Sequence, residues 1–458
     1  MMKRTLGQIA EMIGAQLLNH SFRDVMVEGA SINTRTLQKG NLFIPFKGER
    51  VDGHRFVPQA FEQGAAATLW QEGVDSPPED KPLLIVRDPE LALQQLARVY
   101  RHEAKFKVVA ITGSNGKTTT KDMVAGVLSS KYRVQKTEGN FNNQLGLPLT
   151  LLNVKDDTEI SVLEMGMSGF RQIAFLTEIA DPDIAVITNI GESHMQDLGS
   201  REGIAKAKFE ITEGLKDQGI LFYYGDEPLL QSLVKQSTGF QTASYGYDTS
   251  NGLHPKKVQL SEQGSRIFLT EDDGQFIDVP VLGKHNVLNA LAAIRVAYQL
   301  GMSHEDIARG FANMKLTAMR MERVMGGKGE IIINDAYNAS PTSMKAAIQF
   351  AEEMHGEGRK ILLLGDMLEL GDEEEAFHRA IGKELNPKTV DYVITFGERA
   401  DWIADEASKH FPKGRVRSFG LDKTELIKIV TELTAEKDLV VVKGSRGMLL
   451  EEVVEALK

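Results

Sequence analysis

Residues 110–123 read AITGSNGKTTTKDM, and Gly116-Lys117-Thr118 within them could hold the phosphates of a nucleotide. The familiar phosphate loop is G-x-x-x-x-G-K-[ST]. Here Ile111 occupies the place of its first glycine, and the nearer Gly113 gives a compressed G-x-x-G-K-T. The shortening keeps the chemistry. Gly113 and Gly116 let the backbone turn N–H groups toward phosphate oxygens, and a helix N-terminus adds partial positive charge there. Lys117 would neutralise the terminal phosphates, and the Thr118 hydroxyl would ligate Mg²⁺. A bare G-x-x-G is only a turn; Gly-Lys-Thr between a buried strand and a helix points to phosphate. The nucleotide-binding candidates are therefore Gly113, Ser114, Asn115, Gly116, Lys117, Thr118 and Thr119.

Three further features could complete such a site. Glu164 ends the apolar run ISVLE, and His194 follows DIAVITNI in the segment GESHMQD. Both strand ends belong on the sheet edge where ligands bind. A carboxylate suits Mg²⁺ well and imidazole less well. Taken singly, each also fits a plain structural role, as a solvated acid or a hydrogen-bonded histidine. The third feature is IAKAKFEI, with Lys206 and Lys208 on an expected helix. Helical lysines usually face solvent. A lysine whose surroundings disfavour charge becomes a neutral amine, and a neutral amine can take up carbon dioxide as a carbamate, an oxygen donor for Mg²⁺.

The elements that must position these residues follow from the apolar pattern. KVVAIT, ISVLEMGM, DIAVITNI and GILFYY are short runs that read as strands buried on both faces, separated by helical stretches. They predict a mainly parallel sheet wrapped by helices. Between Lys257 and Val281, alternating residues around QG and DDG predict an antiparallel excursion of two or three strands. GEIIINDAY, KILLLGDM, DYVITFG and DLVVVKG predict a second, smaller doubly wound unit. The first residues, MMKRTLGQIAEMIGAQLL, carry Ile9, Met12, Ile13 and Leu17 at helical spacing and predict an amphipathic helix rather than a signal peptide. The expected fold is α/β with three domains: a small mixed one over 1–105, a central phosphate-loop ATPase-like one over 106–318, and a Rossmann-like one over 319–458.

Composition narrows the function classes. The net charge of −11 speaks against a nucleic-acid binder with a general basic surface. There are no cysteines, which excludes disulfides, thiolate metal sites and cysteine nucleophiles. The apolar runs fall short of the roughly 20 residues that cross a bilayer, so a cytoplasmic protein without membrane insertion is expected.

Together these stretches resemble the Mur ligases, ATP-dependent amide-forming enzymes that build the peptide of the peptidoglycan precursor. TGSNGKTTTK is similar to that family's compressed loop, and DAYNASPTSM, GDMLELG followed by His378, and VVVKGSRGM resemble its last domain. The resemblance implies that Lys117 meets the ATP phosphates and that Thr118 and Glu164 hold one Mg²⁺. It implies that His194 holds a second Mg²⁺ with a carbamylated lysine, for which Lys208 is the better match and Lys206 the fallback. By the same likeness Asn286 and Asn289, in GKHNVLNALAA, face the adenine, and Arg320 and Asp335 reach the nucleotide from the last domain. SINTRTLQKGNLFIPFKGERVDGHRF resembles the segment receiving the UDP portion, with Thr34 and Arg35 as contacts. EGNFNNQLGLP resembles the muramoyl-peptide path, with Asn142 and Asn143 as contacts, and Asn338 is the substrate candidate in DAYNASP. Lys117, Lys208 and His194 are the catalytic candidates.

The implied substrates are UDP-N-acetylmuramoyl-tripeptide and D-alanyl-D-alanine, joined by a monomer through an acyl phosphate. A carboxylate resists amine attack because its leaving group would be oxide, and phosphorylation by ATP supplies phosphate instead. Two positions depart from the family pattern: Asn33 precedes Thr34-Arg35 where Asp is usual, and Ser340 replaces a longer Asn. Rival readings are a sister ligase, a folylpolyglutamate synthetase, whose loop usually reads Gly-Lys-Gly-Ser, and a nucleotide-dependent switch that ignores small substrates.

Overall fold

The computed structural model describes all residues except 49–50, 262, 270–274 and 355. The central sheet has six parallel strands in the order Gln241–Tyr245, Ile220–Tyr224, Ile184–Ile187, Lys107–Thr112, Ile160–Glu164, Val134–Lys136. Its sequence has no polar face because both faces are covered. Val108 and Ala110 enter one core while their neighbours Val109 and Ile111 enter the other, as the alternation of a strand requires. Each such valine or isoleucine side chain contributes roughly 1.5–3 kcal/mol on burial. After Lys107–Thr112 the chain runs to one side of the sheet and later returns to the other. The carboxyl ends of Ile160–Glu164, Lys107–Thr112 and Ile184–Ile187 therefore meet at a topological switch point.

The antiparallel excursion has three strands, Lys257–Ser261, Gly264–Phe268 and Phe276–Val279. The DDG expected to turn it lies outside the described residues. The C-terminal sheet runs Glu322–Met325, Ile331–Asp335, Leu439–Lys443, Lys360–Gly365, Tyr392–Phe396, Val416–Ser418, with only the first strand antiparallel. It too is buried on both faces: Val441 and Leu439 face one core, Val440 and Val442 the other.

The N-terminal part holds a five-stranded mixed sheet and a two-stranded one. Its opening helix is shorter than the apolar spacing predicts. It spans Leu6–Ile13 and stops at Gly14, whose left-handed φ of 65° breaks the repeat, so Leu17 lies instead on the strand Gln16–Leu17. This part shares its apolar core with one face of the central sheet. Asn153 bonds both the N–H and the carbonyl of Ala30, and buried Arg101 donates to the carbonyls of Ala180 and Asp181. On the other side, the link to the C-terminal unit is pinned where Thr317 N–H donates to the buried Asp122 carboxylate, which also binds Lys136. Among the described residues no helix is long and apolar enough to cross a membrane.

Candidate functional site

The phosphate loop leaves strand Lys107–Thr112 and enters helix Lys117–Leu128. Its two glycines are there for different close approaches. A Cβ on Gly113 (φ 151°) would lie 1.8 Å from Thr188 Oγ1, and one on Gly116 (φ 79°) would lie 2.5 Å from Asn289 Oδ1. The backbone of Asn115 is clamped from the next strand's end: its N–H donates to Asn189 Oδ1, and its carbonyl accepts from Thr188 Oγ1 at 2.6 Å and from Asn189 Nδ2. The helix begins without a side-chain cap, so its first N–H groups are open to an anion.

Lys117 Nζ donates to Gly113 O at 2.7 Å. Burial lowers its pKa, and Arg320 lowers it further while Glu164 opposes that. Lys208, on helix Arg201–Phe209, is 1 % exposed, and its Nζ has no hydrogen bond or ion pair among the described residues. Burial drives its pKa well below the ordinary lysine value, and the charge of Lys117 adds to this. Lys206 on the same helix is exposed. The structure thus separates two lysines that the sequence left as alternatives: Lys208 alone has the setting that favours a neutral amine.

Glu164 is buried at the end of its strand. Its Oε1 accepts from Asn142 Nδ2 at 2.9 Å, and its Oε2 lies 3.9 Å from Lys121 Nζ without a hydrogen bond. Asn143 has a different place. Its side chain accepts from the N–H groups of Leu145 and Gly146 and so starts helix Gly146–Leu152. His194 Nδ1 sits 3.1 Å from Glu369 Oε2 of the C-terminal unit, and that partner lowers the Glu369 pKa. Asn289 accepts from Thr120 and donates to Asn286, which donates to Leu282 O.

The C-terminal unit reaches over this edge. Arg320 donates to Thr118 Oγ1 at 3.1 Å and stacks on the Tyr337 ring, 4.1 Å from its centroid. Asp335 accepts from Met321 N–H and pairs with Lys443, which also donates to Asn338 O. Ser340 Oγ donates to Asn115 Oδ1 at 2.9 Å, and Thr342 Oγ1 to Glu192 Oε2. Ser340 therefore makes a contact to the loop despite being shorter than the Asn of the pattern. A cleft of about 140 Å³ between the units is lined by Ser193, His194, Asn338, Glu369 and Arg446. Thr34 and Arg35 lie apart, on an N-terminal loop. Thr34 Oγ1 contacts Gln59 and Arg35 N–H bonds Asn33 Oδ1, and neither touches the loop.

Among the described residues, Ser114 Oγ, Asn115 Nδ2, Glu164 Oε2 and Arg320 Nε are buried without a hydrogen-bond partner. Buried polar atoms in folded proteins are normally satisfied. Four orphans around one glycine loop therefore mark a place built for a polar ligand. Among the described residues no three His, Asp or Glu side chains cluster as a metal site. A buried carboxylate oxygen without a hydrogen bond, such as Glu164 Oε2, nevertheless suits Mg²⁺, which is usually held by one or two carboxylates together with substrate phosphates. Sequence reasoning missed Thr188, Asn189, Lys121, Glu192 and Glu369. Thr188 and Asn189 carried a signal, as the polar residues directly after a buried strand.

The fold and this edge define a phosphate-loop nucleotide-binding α/β protein whose last unit folds back over the loop. Three family models match it: "Mur ligase family, catalytic domain" over residues 26–101, "Mur ligase middle domain" over 111–297, and "Mur ligase, glutamate ligase domain" over 319–446. UDP-N-acetylmuramoyl-tripeptide–D-alanyl-D-alanine ligase of Bacillus subtilis (strain 168) is 51% identical over 457 residues, covering 100% of this chain and 99% of its own. The enzyme of the same name from Escherichia coli (strain K12) is 34% identical at the same coverage. A crystal structure of MurF from Acinetobacter baumannii superposes with a TM-score of 0.89 at 29% identity, covering 100% of this chain and 99% of that one. MurF ligase from Thermotoga maritima in complex with ADP gives 0.81 at 30% identity, covering 94% and 97%. The chain belongs to the Mur ligase family.

Proposed function

We propose that this protein is an ATP-dependent ligase of peptidoglycan precursor synthesis in the cytoplasm. It joins D-alanyl-D-alanine to UDP-N-acetylmuramoyl-tripeptide and releases ADP and phosphate. The observation that carries this reading is the 51% identity over the full length to a ligase of that name. The geometry supports it, because the last unit is folded onto an open phosphate loop and leaves a small cleft beside it.

The residues divide the work. The loop N–H groups and Lys117 bind the ATP phosphates, and Arg320 brings a second cation onto them from the C-terminal unit. Asn286 and Asn289 lie behind the loop toward the adenine, and Asp335, paired with Lys443, holds the segment that carries Arg320. Thr118 and Glu164 would hold Mg²⁺, and His194 with a carbamate on Lys208 would hold a second ion. When bound, these ions neutralise charge that would keep the substrate carboxylate away from the γ-phosphate. The carboxylate attacks the γ-phosphorus and ADP leaves. The unprotonated amine then attacks the acyl carbon, phosphate leaves, and the nitrogen loses a proton.

Asn142 orients Glu164 and, with the neighbouring Asn143, borders the path of the peptide. Thr34 and Arg35 receive the uridine end, and Asn338 lines the cleft for the dipeptide. With domain boundaries at 105/106 and 318/319, the nucleotide-sugar, ATP and amino substrates would fall to separate units, and closure would keep water from the acyl phosphate.

The test is phosphate release from ATP and Mg²⁺ with both substrates, each component omitted in turn. Release that needs both, with a product mass equal to their sum less water, is expected. Release indifferent to either substrate would overturn the reading.

A further inference from the structure

Ser340 does two jobs with one hydroxyl. It caps helix Pro341–Glu353: its Oγ accepts from Ser343 N–H, and Ser343 Oγ accepts from Ser340 N–H. The bond it accepts uses one lone pair of the Ser340 hydroxyl and leaves its proton to donate. Ser343 Oγ spends its own proton on the Ser340 carbonyl. The Ser340 proton has two acceptors in reach, Ser343 Oγ at 3.1 Å within the cap and Asn115 Oδ1 at 2.9 Å across 225 residues of sequence, and the bond to Asn115 is the shorter; the Ser340 side chain is only 3 % exposed. Asn115 is the loop residue whose backbone N–H and carbonyl are already held by Asn189 and Thr188. Its Oδ1 is thus the point at which the loop can register where the C-terminal unit sits.

We propose that Ser340 is a positioning residue, a latch that ties closure of the C-terminal unit to the conformation of the phosphate loop. The proposal rests on the ligase reading above. Asn115 meets the ATP side whether or not the unit is closed, whereas the Ser340 bond exists only in the closed arrangement. Losing the latch therefore weakens the step that needs closure, use of the amino substrate, and leaves nucleotide binding largely alone.

Substitution can separate latch from cap. Aspartate caps a helix as well as serine but has no proton for Asn115 at neutral pH. Asparagine caps and also donates. Ser343→Ala weakens the cap and spares the latch. One neutral hydrogen bond corresponds to a change of up to about tenfold. Ser340→Asp should lower kcat/KM for the dipeptide about tenfold, raise its KM, and leave the ADP Kd within about twofold. Ser340→Asn should restore the dipeptide parameters to within about twofold, and Ser343→Ala should lower Tm without moving the dipeptide KM. In a double-mutant cycle, Asn115→Ala should make Ser340→Ala nearly silent in the dipeptide parameters, while the lost cap still lowers Tm.

Equal behaviour of the Asp and Asn variants, or losses that simply follow Tm, would overturn the latch. Phosphate release that ignores the dipeptide in the unsubstituted chain would instead sink the ligase reading. The latch is then judged by solution scattering with ADP. Ser340→Asp should give a more extended particle than Ser340→Asn, and identical profiles would overturn it.

Discussion

The central and C-terminal sheets each send a strand into a helix at the same edge, yet the two helix starts are built in opposite ways. Helix Lys117–Leu128 follows a left-handed Gly116 and has no side-chain cap. Helix Pro341–Glu353 is sealed by a reciprocal Ser340–Ser343 capping box and carries proline in its first turn, where the missing N–H costs nothing. The next turn of the C-terminal sheet is also closed from within. The N–H of Ala400 donates to Asp366, and that of Met367 donates to His378. A helix start whose donors are satisfied by its own sequence has nothing left to offer an anion, and one left open does. The difference assigns phosphate to the first sheet and leaves the second to press cations and hydroxyls onto it.

Removing the cation at the open start should have the largest effect. Lys117→Met is expected to reduce phosphate release with both substrates by about a hundred- to thousandfold, the range for losing one preorganised charge-stabilising group. Tm should hold or rise, because the lysine is held in place against the desolvation that lowers its pKa. A variant that kept near-normal turnover would break the contrast between the two starts. Gly113→Ala comes next. The added methyl would fall on Thr188 Oγ1, and the left-handed φ is strained for alanine. A cost of about 1–3 kcal/mol in stability is expected, with a raised KM for ATP because Thr188 also holds Asn115. Adding Thr188→Ala should return part of the stability lost to Gly113→Ala, as read by urea midpoints, although it cannot restore the Asn115 bond.

The open start was legible in the sequence because it is local: two glycines, a lysine and a threonine between an apolar run and a helix. The buried strands were legible for the same reason, since Val108–Ile111 and Leu439–Val442 feed alternate residues into two cores and so lack a polar face. What joins distant segments was not. Nothing in the spacing pairs His194 with Glu369 or Ser340 with Asn115, because those contacts depend on where two separately folded sheets come to rest. By spacing alone Lys206 and Lys208 are alike, two residues apart on one helix, and only the family resemblance favoured Lys208. Only the packing of the helix buries one and exposes the other. Asn143 likewise has a local contact that its spacing does not announce, its Oδ1 accepting from Leu145 and Gly146 N–H at the turn into helix Gly146–Leu152.

The smallest effect sharpens the contrast from the sealed side. His378 is fully buried. Its Nδ1 donates to Glu374 O at 2.6 Å and its Nε2 accepts from Met367 N–H at 3.0 Å, an arrangement that only the neutral ring can make. Burial lowers its pKa below the ordinary 6.5; the Glu374 carbonyl and charge oppose that, and Arg399 adds to it. The unfolded chain therefore takes up the proton first as pH falls. Between 6.5 and the lower folded-state pKa the unfolded state binds more protons, so stability rises with pH across that window and is lost as pH falls through it. Urea midpoints of the chain should fall as pH drops from about 7.5 to about 5.5. His378→Gln should be less stable at the upper end and show a shallower fall, because the difference between the two chains isolates this ring from other groups that titrate nearby. Parallel curves would mean that the ring does not hold the Met367 turn shut in its neutral form, and the sealed side would lose one of its closures.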